Sequence, residues 1–184
     1  MTQGWIRAAA LLGVLAPIVA FVAIFTAIMF SPWFSWTGNA LSDLGVGEAA
    51  AIFNLGLIAS GLMFLPLSIA LYAVSRGGLE KVSALFLLLS AVFLSSIGFF
   101  PESYGRLHYY VSVAFFLTLP FTIYLYAAAA FKNSRARALF SALAATLALG
   151  VWLLPWSSPA IPEALSALSA TLWVEGVALD LLRG

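Results

Sequence analysis

No cysteine occurs in the 184-residue chain, and histidine occurs once. The first absence excludes disulfides, thiolate nucleophiles, cysteine-ligated clusters and thiol switches, and it leaves the redox character of the compartment unmarked. The second excludes a bis-histidine haem. It also makes a catalytic zinc site poor, since such sites take three protein ligands rich in histidine. Charge is scarce as well: 8% of residues are Asp, Glu, Lys or Arg and the net charge is +1, where soluble domains carry about 25% charged residues. No basic stripe of the kind that follows phosphates is present, so nucleic acid is not expected as a partner.

What fills the chain is apolar, with 64% hydrophobic residues and a mean hydropathy of +1.08. A helix rising ~1.5 Å per residue needs about 20 apolar residues to cross a ~30 Å hydrocarbon core. Six such runs, at about 8–30, 49–74, 82–100, 108–131, 137–156 and 164–182, are each bounded by Pro, Gly or charge, the residues that punctuate helices. The expected fold is an all-α integral membrane protein, a single six-transmembrane-helix bundle over residues 1–184. The run from Ala8 to Phe30 ends in Ser31-Pro32-Trp33 and is about twice the 7–15 residues of a signal-peptide core. It reads as a retained first span.

Lysine and arginine set the expected orientation, because short cytoplasmic loops carry an excess of them. With six spans, Arg7, Arg76, Lys81, Lys132, Arg135, Arg137 and Arg183 fall at one face and Arg106 alone at the other. Both termini are therefore expected in the cytoplasm, with the chain in the cell membrane. The acids sort oppositely: Asp43, Glu48, Glu102 and Glu163 lie outside, and Glu80 and Asp180 near the inner edge. Aromatic residues mark the same levels, since Trp and Tyr favour headgroup depth. Trp33, Trp36, Tyr104, Tyr109, Tyr110 and Trp156 would form an outer belt, and Trp5, Tyr72, Tyr124 and Tyr126 an inner one, leaving Trp173 deep.

Helices approach closely in lipid through small residues. Gly56 with Ser60, Ser90 through Gly98, and Ser166 with Ser169 are the candidates. Pro17, Pro66 and Pro120 lie inside spans, where each removes one N–H donor and predicts a kink.

Polar side chains collect at the outer face. In WTGNALSDLGVGE, Asn39, Ser42 and Asp43 stand at i, i+3 and i+4, one side of a helix, while Leu41 and Leu44 would face inward. A short interfacial or re-entrant helix is expected there. Asn54 follows in the second span, and FPESYGRLH sets Glu102, Arg106 and His108 at the same level. Two readings stand side by side. In one, Asn39, Ser42, Asp43, Asn54, Glu102 and His108 build a polar ligand pocket. In the other, Asp43 and Glu102 cap helices and pair with Arg106, Asn54 satisfies a loop carbonyl, and His108 sits wet among headgroups.

Most catalytic templates fail. Retinal needs a mid-membrane lysine, but Lys81 and Lys132 lie at span ends. A metal would have to sit on His108 with Asp43 and Glu102, so no metal or other cofactor is expected. Ser60 and His108 are not expected to meet, because Ser60 lies roughly 16 Å below the outer end of its span; Ser60 reads as a packing residue. Glu175, about 10 Å from the inner end of the sixth span, is an intramembrane acid costing about 2.5–3.5 kcal/mol. It reads either as a proton or cation relay or as a structural ion pair or neutral carboxyl.

The segments NALSDLG, IFNLGLIASG and IGFFPESYGRLHYYVSVAFF resemble the signature segments of the domain of unknown function 998 family, in matching order and spacing from the first loop through the fourth span. The resemblance implies a multi-pass membrane protein of a kind found in archaea and bacteria, with six spans and no established activity. It points to Asn39, Ser42, Asp43, Asn54, Glu102 and His108 without giving them roles, and it adds nothing to Glu175.

Three functions follow as expectations. The scarcity of groups able to do chemistry favours a non-enzymatic bundle binding a lipid headgroup or small polar ligand at the outer face, or a subunit of a larger membrane assembly. Its partners would be membrane lipids, other membrane subunits or a second copy. A hydrolase or transferase acting on a lipid at the outer face is the alternative, with His108 or Glu102 as acid or base. A transporter or channel using Glu175 is the third.

Overall fold

The computed structural model describes residues 2–183. Among them are no strands and six long helices: α1 (Thr2–Met29), α2 (Ala50–Val74), α3 (Gly78–Phe99), α4 (Arg106–Ala130), α5 (Arg135–Gly150) and α6 (Ala160–Arg183). All six are long and apolar enough to cross a membrane, α5 being counted together with the 3-10 turn Val151–Leu153 that continues it. Several helix ends differ from the sequence pattern, α3 and α6 each starting four residues early, at Gly78 and Ala160. α1 begins at Thr2 instead of Ala8, because nothing in TQGWIRA breaks a helix. α5 gives way after Gly150 to the 3-10 turn, short of Trp156. Pro17, Pro66 and Pro120 all lie within continuous helices.

Each helix packs against its neighbours in the chain, and α1 closes the ring against α6. Because lipid tails are as apolar as leucine, close approach has to come from small residues and interhelical hydrogen bonds. Gly56 faces Ala23 of α1 so closely that a Cβ on it would overlap that methyl group. Gly61 lies against the Ala91 carbonyl and Ser95 of α3, and Gly98 against the Asn54 carbonyl of α2. Hydroxyls then bridge the helices: Ser83 Oγ donates to the Thr122 carbonyl at 2.9 Å, Ser95 Oγ to the Ile58 carbonyl at 3.3 Å and Ser169 Oγ to the Ala144 carbonyl at 2.9 Å. Such bonds average about 0.6 kcal/mol in membrane proteins. Trp173 is 1% exposed and donates Nε1–H to Ser141 Oγ at 3.1 Å, so the deep indole has its partner.

The outside of the bundle is greasy: Leu11, Leu15, Val22, Leu62, Leu89, Leu117, Leu139, Leu143 and Leu172 are all exposed. This surface suits hydrocarbon, not water. One end of the bundle carries Asp43, Glu48, Glu102 and Glu163 on the connections α1–α2, α3–α4 and α5–α6 or the helix starts beside them. The opposite end holds the start of α1, the end of α6 and seven of the eight basic residues.

At the acidic end, the connection between α1 and α2 contains a five-residue 3-10 turn, Leu41–Gly45. Leu41 and Leu44 are its buried side chains, and it packs against α1, α2 and α6. Gly47, at φ 99°, then reverses the chain into α2, a conformation glycine adopts without a Cβ penalty.

Candidate functional site

Three connections converge at the acidic end. The first loop is tied to the start of α6 by three long-range bonds: Ala160 N–H to the Asn39 carbonyl at 3.1 Å, Ser158 Oγ to the Trp36 carbonyl at 2.7 Å, and Leu41 N–H to Glu163 Oε2 at 2.6 Å. The 3-10 turn also touches the second turn, Glu102–Tyr104, which precedes α4.

Within this knot Asp43 is the most heavily bonded acid. Its Oδ2 accepts from Asn39 Nδ2 at 2.8 Å and from the Ala40 N–H at 3.1 Å. Asn39 is fixed in turn by the Ser35 N–H, which donates to Asn39 Oδ1 at 2.9 Å. The Glu102 carboxyl shares a hydrogen bond with Asp43. Two carboxyls need a proton to do this, and the surroundings place it on Glu102. Burial alone pushes Asp43 up, but the bonds from Glu102, Asn39 and Ala40, with the nearby His108 ring, hold it below its ordinary value. Glu102 is pushed up to about 7 by the bond to Asp43, then by burial and by the negative charge of Asp43. Among the described residues Arg106 forms no ion pair with either acid, so the reading in which it pairs with Asp43 and Glu102 fails.

His108 is 6% exposed, not wet. Its Nδ1 lies 2.8 Å from the Phe100 carbonyl and its Nε2 3.3 Å from Ser112 Oγ, one turn further along α4. A carbonyl only accepts, so Nδ1 carries a proton, and in the neutral ring Nε2 accepts from Ser112. The hydroxyl that reaches His108 is therefore Ser112 and not Ser60. Asn54 holds the other side of the knot, donating Nδ2–H to the Gly45 carbonyl at 2.9 Å, which is the loop-carbonyl role its position suggested. Its Oδ1 is buried without a partner.

Below the knot a cavity of about 100 Å³ runs down between α1, α2, α3, α4 and α6. Ser42 and Glu163 line it at the acidic end; Phe21, Leu57, Phe64, Leu94, Phe115 and Val174 are among its apolar walls. From Glu163 to Val174 the wall on α6 covers eleven steps, or about 16 Å, roughly half of a ~30 Å hydrocarbon core. Ser60 also faces the cavity, fully buried, and its hydroxyl has no partner. Ser112 joins the lining from α4, so the His108–Ser112 pair reaches from the knot to the cavity wall.

Of the residues singled out in the sequence, Asn39, Ser42, Asp43, Glu102, His108 and Asn54 all lie in or beside this knot. Glu175 does not. It is half-buried on α6, lines neither this cavity nor the groove at the other end, and has no ion-pair or hydrogen-bond partner among the described residues. Of the readings open for Glu175, neither an ion pair nor a cavity leading to a relay is found there among the described residues. Glu163 and Ser112 were not singled out as site residues. Glu163 carries a legible signal, an acid in the first turn of a span on the acidic face. Ser112, at His108 + 4, carries the helical spacing.

Among the described residues no group of three or more His, Asp or Glu side chains is arranged to hold a metal ion. The arrangement can instead hold a shared proton on a carboxyl pair and present a carboxylate and a hydroxyl to an apolar cavity. The family model described as Protein of unknown function (DUF998) matches residues 14–180. The chain belongs to the DUF998 family. The matched stretch of this DUF998 protein contains the acidic-end knot and the cavity. No curated protein and no solved structure matches the chain.

Proposed function

We propose that this DUF998 protein binds an amphiphilic membrane lipid without transforming it, with the apolar part in the interhelical cavity and the polar part at the Ser42–Glu163 mouth beside Asp43 and Glu102. In this reading both termini are cytoplasmic, the acidic end faces outward, and the Leu41–Gly45 turn lies at the outer interface. The cavity carries the proposal: it is about one leaflet deep, its walls are mostly apolar, and Ser42, Ser112 and Glu163 line its acidic end, with only the hydroxyls of Ser60, Ser90 and Thr171 deeper. Ligand sites of this kind pair apolar walls with a few placed polar groups. The acids favour a head that donates hydrogen bonds or carries positive charge, because a phosphate at the mouth would lie next to ionised Asp43.

The test is extraction of lipid from the purified protein, with Ala167→Phe beside wild type. Ala167 lines the cavity on α6, and a phenyl ring there fills it. Wild type is expected to retain an amphiphile that Ala167→Phe lacks, with both proteins folded by thermal unfolding. Equal lipid content in the two would end this reading.

A second reading rests on one observation, the proton-sharing Asp43–Glu102 pair next to His108. A carboxyl that changes protonation near neutrality suits general acid–base catalysis, so an outer-face hydrolase or transferase acting on a lipid is the alternative. In vesicles it predicts product formation that Glu102→Gln abolishes while lipid retention persists. Retention without product supports binding alone.

A further inference from the structure

A second concavity lies at the opposite, basic end, in the side of the bundle between α5 and α6 and below α4. Its volume is about 240 Å³. Two guanidiniums, Arg137 and Arg183, stand at its rim, and Phe140, Val177 and Leu179 form apolar wall. Along α6 it extends from Trp173 to Arg183, ten steps or about 15 Å, again about one leaflet of a ~30 Å core. A groove that is cationic at a helix-end rim, apolar beneath it, open to the side and one leaflet deep has the dimensions and polarity of a lipid.

We propose that this groove binds one anionic phospholipid of the adjacent leaflet, its phosphate on Arg137 and Arg183 and its chain along Phe140, Val177 and Leu179. Charge complementarity carries the choice of lipid. Lys132 and Arg135 lie in and after the same short α4–α5 connection, so the surrounding field is positive, and basic pockets between helices at such an end recognise anionic headgroups. The acid in the groove, Asp180, lies 3.3 Å from Arg137 Nε. A guanidinium has five N–H donors, so the contact orients Arg137 and leaves its terminal fork for a phosphate, the geometry in which arginine binds phosphate bidentately. Tyr126 also borders the groove, and its hydroxyl has no hydrogen-bond partner among the described residues. It is placed to donate to an ester carbonyl below the phosphate. The site is separate from the acidic-end cavity and stands whether or not that cavity binds a lipid.

The experiment is native mass spectrometry of the full chain titrated with phosphatidylglycerol or with phosphatidylcholine, folding being checked by thermal unfolding. Wild type is expected to hold one phosphatidylglycerol in preference to phosphatidylcholine. Arg137→Gln and Arg183→Gln should each weaken phosphatidylglycerol by about fivefold and leave phosphatidylcholine unchanged, while Asp180→Asn tightens phosphatidylglycerol. Arg137→Gln and Asp180→Asn remove the same ion pair, so a merely structural role would move both in one direction; opposite shifts support the site. Equal retention of the two lipids overturns the proposal, as do parallel shifts in that variant pair. Displacement of phosphatidylglycerol by inorganic phosphate alone also overturns it, by revealing a site for a free anion.

Discussion

Leu41 and Glu163, 122 positions apart in the chain, are joined by a 2.6 Å hydrogen bond from the Leu41 N–H to Glu163 Oε2. The bond links the first loop to the first turn of α6, and it sets a carboxyl at the mouth of the interhelical cavity. One side chain therefore both helps tie the first loop to α6 and lines the cavity.

Replacing Glu163 tests that coupling. Glu163→Ala removes the acceptor of a part-buried N–H, and leaving a buried donor unsatisfied costs about 1–3 kcal/mol. A loss of that order in thermal or denaturant unfolding is expected, with Glu163→Gln, which keeps an acceptor oxygen, intermediate. Equal stability of Glu163→Ala and wild type would mean that the tie contributes nothing.

The Asp43–Glu102 pair predicts a pH dependence with a definite sign. Glu102 in the folded protein binds its proton more tightly than in the unfolded chain, because its value is raised from 4.5 to about 7. Its contribution is complete below about pH 4.5 and is lost as the pH rises toward 7. Asp43 is shifted the other way, from 3.8 downward, so its contribution is present above about pH 4 and is lost as the pH falls through its lowered folded value. Stability should therefore decline between about pH 5 and pH 7, and Glu102→Gln, a permanent mimic of the protonated acid, should make that decline shallower. Melting temperatures across this window provide the check, and an unchanged slope in the variant would sink the shared proton.

Gly61 and Gly176 separate tight from ordinary packing. A Cβ on Gly61 would stand 2.6 Å from the Ala91 carbonyl oxygen and 2.7 Å from the Ser95 nitrogen, both backbone atoms. Gly61→Ala must push α2 from α3 and should cost about 1–3 kcal/mol. On Gly176 the nearest atom is Phe140 Cε1 at 3.6 Å, so Gly176→Ala should be neutral or stabilise by up to about 1 kcal/mol through helix propensity. Unfolding of the two variants side by side reads the difference.

Ser60 offers the reverse case. Its hydroxyl is buried and unpartnered, so in lipid-free protein Ser60→Ala should hold or raise stability, by about 1 kcal/mol. Ser90 provides the contrast, because its hydroxyl donates to Thr118 Oγ1 at 3.0 Å; Ser90→Ala should lower the melting temperature. A loss in Ser60→Ala equal to that in Ser90→Ala would show that Ser60 has a partner after all.

Several features of the site were legible in the primary structure. Asn39 and Asp43 were marked by a four-residue spacing, and the bond between them is local. Leu41 and Leu44 were marked by the alternation around them, and both are buried. His108 was placed at the right level, and of the two readings open for it the wet one fails, since the ring is buried against the Phe100 carbonyl and Ser112. Glu175 drew attention as an acid within a span, yet it stands apart from both concavities, because the face of α6 that a residue occupies is set by the neighbours of that helix.

Six spans and the sorting of acids from bases toward opposite ends follow from the order of residues alone. Hydropathy and charge act locally and add along a chain whose solvent is hydrocarbon. The closure of α1 on α6, the meeting of Asp43 with Glu102 and the cavity beneath them were decided by tertiary structure. Lipid supplies no hydrophobic drive to mark which helix faces meet, so contacts such as Gly56 on Ala23 and Gly61 on Ala91 set the geometry, and these become visible only once the helices are packed.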